Sequence, residues 1–117
     1  PGERQLLGVA RAVLRRSRIV ALDEVTSRVD EATDRQVQEA LRSLPEGTTL
    51  LVVSHRLVTL LQGFDKVVVM ENGQVVENGD PNELRTRPGS RFAALLAAEL
   101  AGAGDRLEQP QRDVLAA

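Results

Sequence analysis

The sequence predicts an α/β fold in which parallel strands carry flanking helices and a β-hairpin follows near the C-terminal end. Three observations predict it. Two short apolar runs, Ile19-Val20-Ala21-Leu22 and Leu50-Leu51-Val52-Val53, each end in polar, ionisable residues. A stretch with helical apolar spacing separates them, which is the pattern of a βαβ unit with parallel strands and a right-handed crossover. An Asn72-Gly73 pair then sits between two β-branched runs, the strongest short-range hairpin signal.

The first element is a helix, with Leu6, Val9, Ala10, Val13 and Leu14 on one stripe and Arg15, Arg16 and Arg18 near its C-terminal end, where positive charge suits the helix dipole. The run 19–22 follows and reads as a strand buried on both faces. It delivers Asp23 and Glu24 to its C-terminal edge, where α/β proteins place their chemistry. Adjacent ionised carboxylates repel, and a divalent cation or a proton relieves them. One reading has Asp23 holding Mg²⁺ directly or through water, with Glu24 as a base that aligns or activates water. The other is a solvated strand end with Asp23 capping a turn.

Residues 25–30 form a polar loop, and Asp30 suits the N-cap of the next helix, in which Val37, Ala40, Leu41 and Leu44 repeat. Pro45-Glu46-Gly47 stops that helix. The second strand ends in Ser54-His55-Arg56, so a parallel pairing brings His55 to the rim that carries Asp23 and Glu24. A short helical link over 57–61 leads to the hairpin, 66–79. Asp80-Pro81 reads as an N-cap and first helical residue, opening a turn of helix through Leu84. A further amphipathic stretch covers 92–100, and residues 101–117 read as a disordered tail.

Composition narrows the function. The chain has 117 residues, enough for one small core. Its net charge of -2 gives no global positive field, and Phe64 and Phe92 are its only aromatics, so nucleic acid is not an expected partner. Cysteine is absent, which excludes disulfides and thiolate chemistry.

In order and spacing, five motifs resemble the C-terminal half of the nucleotide-binding domain of ATP-binding cassette (ABC) proteins, over residues 1–100. Pro1-Gly2-Glu3-Arg4-Gln5 is similar to the end of the signature motif, its preceding Leu-Ser missing and Pro1 and Glu3 replacing the commoner Gly and Gln. Residues 19–24 resemble the Walker B strand with its glutamate. Ser27-Arg28-Val29-Asp30 resembles the D-loop, with Arg28 where a small residue is usual. Ser54-His55-Arg56-Leu57 resembles the switch-histidine loop, and the hairpin followed by Asp80-Pro81-Asn82-Glu83-Leu84 resembles the closing segment. The loop sequences look most like exporter-type cassettes of the multidrug-resistance-associated subfamily.

The resemblance implies a partial P-loop NTPase fold of the ABC type, with ATP and Mg²⁺ as cofactors. It implies Glu24 and His55 as catalytic residues, Asp23 as metal ligand, and Pro1, Gly2 and Glu3 as contacts to ATP held by the opposite domain of a head-to-tail dimer. Ser27 and Asp30 would touch that partner domain, and transmembrane domains of the same transporter would hold the assembly at the cytoplasmic face of a membrane. Arg28 at the dimer seam would add a salt bridge or weaken closure. The sole lysine, Lys66, follows Phe64-Asp65, so no Gly-Lys-Ser/Thr phosphate loop exists in these 117 residues. The expectation is therefore a truncated piece of a longer chain that alone binds ATP poorly, hydrolyses it negligibly and is poorly soluble. Two other readings are a non-catalytic remnant or docking module for another cassette domain, and a piece of an ABC-type chromosome or DNA-repair ATPase.

Overall fold

The computed structural model describes residues 2–23, 31–102 and 112–116. Helix α1 (Gly2–Arg15) leads through Arg16, in a left-handed backbone conformation, into strand β1 (Ile19–Asp23). Helix α2 (Glu31–Arg42) packs on α1 and precedes β2 (Thr49–Ser54). The pair β1–β2 is parallel, with Ile19 opposite Thr49 and Asp23 opposite Val53, as the βαβ spacing predicts. A single helical turn, α3 (Leu57–Leu60), follows.

The hairpin forms as expected. Strands β3 (Val67–Glu71) and β4 (Gln74–Gly79) pair antiparallel, and the two turn residues Asn72 and Gly73 have φ of 50° and 75°. Both central residues of a type I′ turn need positive φ, which is why Asn-Gly is so frequent there. Asp80 caps α4 (Pro81–Leu84) by accepting from the Asn82 N–H at 2.7 Å. Gly79 makes room for this turn: a Cβ there would lie 3.3 Å from Leu84 Cδ2. Ser90 caps α5 (Arg91–Leu100), accepting from the Ala93 N–H at 3.1 Å.

Two expectations need correction. The tail does not lack structure throughout, because Arg112–Ala116 forms β5. This strand inserts between β2 and β3 and runs antiparallel to both, giving the order β1-β2-β5-β3-β4 among the described residues. The reason is non-local: β5 closes a gap between two strands whose inner edges need hydrogen-bond partners. Nor is β1 buried on both faces. Among the described strands it lies at the sheet edge, with Val20 buried, while Ile19 is 70% exposed and Ala21 is exposed.

The register explains the asymmetry. Leu22, Val52, Ala116 and Val67 lie across from one another on one sheet face, and the last three are buried. Val67, Val69 and Ala116 join Leu57, Leu60, Leu84, Phe92 and Leu96 in one core cluster. The opposite face, with Ile19, Leu51, Val53, Val68 and Met70, is at best half covered. The α1 stripe is also incompletely used: Val9 is fully buried, but Leu14 is 83% exposed.

Candidate functional site

The site lies at the C-terminal edge of the parallel pair. Asp23 is the last residue of β1 and is exposed. Its register partner Val53 is followed by Ser54, which ends β2, and then by the exposed His55. Two sequence-distant polar groups thus reach one rim because the β-strands run the same way. An antiparallel pairing would have sent them to opposite ends.

The backbone after β2 is tightly specified. Ser54 is buried, and its hydroxyl accepts from the Arg56 N–H at 3.0 Å, a side-chain turn that bends the chain at His55. The Arg56 carbonyl then accepts from the Thr59 hydroxyl at 2.6 Å, starting α3. Arg56 also reaches Asp34 on α2, with Nη1 and Oδ2 3.9 Å apart. The arginine side chain is half exposed, so that bridge contributes little stability.

Gly2 and Glu3 occupy the first turn of α1, and Glu3 is exposed. With 14 residues, α1 is about 21 Å long, and residues 16–18 join its C-terminal end to the start of β1. Pro1, Glu24, Ser27, Arg28 and Asp30 lie outside the described residues.

Among the described residues no group of three or more His, Cys, Asp or Glu side chains could hold a metal by itself. Asp23 nevertheless fits Mg²⁺. That ion keeps several waters and is commonly held by one or two carboxylates together with substrate phosphates, and an exposed carboxylate at a strand end leaves room for both. No helix among the described residues is long and apolar enough to cross a membrane.

One carboxylate that sequence reasoning passed over is strongly engaged. Glu77 on β4 accepts from the Ser90 hydroxyl at 2.6 Å, the Arg91 N–H at 2.8 Å and the Phe92 N–H at 3.1 Å. Burial pushes its pKa up, and the three hydrogen bonds with the nearby Arg87 charge outweigh that, so the pKa is lowered overall. Glu99 was also missed, although a lone acid in the apolar run 92–100 was the available signal.

No family model matches the chain. Curated proteins do match. The chain is 46% identical over 86 residues to "ATP-binding cassette transporter abc1" of Schizosaccharomyces pombe, covering 74% of this chain and 6% of that protein. It is 49% identical over 88 residues to "ATP-dependent lipid A-core flippase" of Ralstonia nicotianae, covering 75% and 15%. It is 47% identical over 90 residues to "Probable multidrug resistance-associated protein lethal(2)03659" of Drosophila melanogaster, covering 77% and 6%. The matched region is thus a small part of each relative. The three identities differ by a few points, so they do not single out the multidrug-resistance-associated subfamily.

Proposed function

Because the chain belongs to the ATP-binding cassette (ABC) family, as a segment of an exporter-type transporter, we propose that it supplies the hydrolytic edge of a P-loop NTPase domain whose ATP turnover drives transmembrane transport. The observation that carries this reading is the parallel register that brings Asp23 and His55 to one rim, next in sequence to Glu24.

Asp23 would hold Mg²⁺, which when bound would supply positive charge to offset that of the phosphates. Glu24 orients the attacking water and accepts its proton as the new P–O bond forms and the bond to ADP breaks. His55 contacts the γ-phosphate and that water. Gly2 and Glu3, in the first turn of α1, meet the γ-phosphate of ATP bound by a second nucleotide-binding domain through their backbone N–H groups and the positive helix end, with Pro1, which has no N–H to donate, beside them in sequence. Ser27 and Asp30 touch that second domain. The phosphate loop and the transmembrane domains come from the rest of the parent transporter, with the cassette on the cytoplasmic face. By itself the segment hydrolyses no ATP.

The test is Glu24→Gln in the full-length parent transporter. Removing a general base lowers turnover by roughly 100- to 10,000-fold, and ATP binding is retained. Turnover near the parental rate in that variant refutes the assignment.

A further inference from the structure

The turn of helix beyond His55 depends on a residue far away in sequence. Helix α3 has Arg56 as its N-cap residue, and no side-chain capping bond is made there. One of its first-turn donors is instead met from 41 residues away: the Val58 N–H donates to Glu99 Oε2 at 3.0 Å. Glu99 sits in the last turn of α5, the only acid in that ten-residue helix.

An acid is out of place there on local grounds. Negative charge near a helix C-terminus opposes the dipole, and the α5 sequence is otherwise apolar apart from Arg91. The bond to Val58 gives the position a purpose. Leu57 and Leu60 of α3 already pack with Phe92 and Leu96 of α5 in the core cluster, which seats the short helix on the long one. The Glu99 bond fixes the end of α3 nearest His55, three residues from the imidazole-bearing position, while the Ser54 turn fixes the strand side.

The geometry points to Glu99 as a positioning residue for His55, acting through the Val58 N–H to set where the histidine loop stands; this role rests on the reading of His55 given above. The test uses the complete parent transporter, reconstituted in lipid, with the variants Glu99→Met, Glu99→Gln and His55→Ala. Methionine keeps the stem and the helix propensity but removes the acceptor, and glutamine restores an acceptor oxygen.

Glu99→Met is expected to lower kcat for ATP roughly 10-fold, since small misplacements of reacting groups are costly, with KM for ATP and the melting temperature unchanged. Glu99→Gln recovers most of the rate, and amide exchange at Val58 is faster in the methionine variant alone. Parental kcat in Glu99→Met beside a strongly impaired His55→Ala overturns the role of Glu99. So does an equal loss in the methionine and glutamine variants accompanied by a lower melting temperature, which marks a merely structural residue. Parental turnover in His55→Ala overturns the reading of His55 and this role with it. Should Glu99→Met fail to fold, the Val58 exchange rate in Glu99→Gln decides, and loss of protection there counts against the proposal.

Discussion

Replacing Glu77 with glutamine tests a polar junction of three hydrogen bonds in the described fold. The carboxylate uses both oxygens: Oε1 accepts from the Ser90 hydroxyl and the Phe92 N–H, and Oε2 accepts from the Arg91 N–H. A glutamine keeps one acceptor oxygen and turns an NH₂ group toward the Arg91 N–H, so one bond is lost and the others lose their charge assistance. Hydrogen bonds to charged groups contribute about 1.5–3 kcal/mol each when buried. Glu77 is partly exposed, so the whole change costs about 1.5–2 kcal/mol at pH 7. For 117 residues the unfolding entropy is about 0.25 kcal/mol/K, and the melting temperature falls by roughly 6–8 °C.

The pH dependence gives the sharper assay. The folded-state pKa of Glu77 lies below the ordinary 4.5, so the stability it confers is fully present above 4.5 and is lost as pH falls through the lowered value. Thermal unfolding of the unsubstituted 117-residue chain and its Glu77→Gln variant, followed by circular dichroism from pH 7 down to pH 3, should show the difference shrinking below about pH 4.5. An unchanged difference at pH 3, or none at pH 7, refutes the electrostatic account of this junction.

Two further outcomes are expected. Gly73→Ala places a Cβ at φ of 75° in the hairpin turn and should cost about 1–2 kcal/mol, read as a lower urea midpoint; an unchanged midpoint contradicts the type I′ assignment. The isolated 117-residue chain, titrated with ATP by calorimetry, should show no saturable micromolar binding, because its one lysine lies outside any Gly-Lys-Ser/Thr loop; micromolar affinity contradicts the incomplete-site reading.

Local signals carried much of the fold. Asn72-Gly73 and Asp80-Pro81 act within a few residues of themselves, and the structure agrees with both. The parallel pairing of β1 and β2 followed from one helix between two apolar runs. The degree of burial did not follow. A four-residue apolar run is the same whether one face or both are covered, and Ile19 lies on the open face. Strand β5 escaped because Arg112 and Asp113 open it and its pairing is entirely long-range. Of the candidate site, Asp23 and His55 were legible as strand-end polar residues. Glu99 was not, since its partner Val58 is fixed by tertiary packing alone.

Helix α5 is held by a carboxylate at each end, and the hydrogen bonds at the two ends run in opposite senses. At its N-terminus the helix donates: the Arg91 and Phe92 N–H groups go to Glu77 of β4. At its C-terminus the helix accepts: Glu99 takes the Val58 N–H of α3. The hairpin, α5 and the turn beyond His55 therefore form one connected polar and apolar unit, with Phe92, Leu96, Leu57 and Leu60 as its packed interior. Loss of Glu77 should loosen the first turn of α5 without touching Val58, whereas loss of Glu99 frees Val58 and leaves the first turn intact. Separate responses at the two ends would show α5 to be a rigid strut; a shared response would show that it transmits strain from the hairpin to the histidine loop.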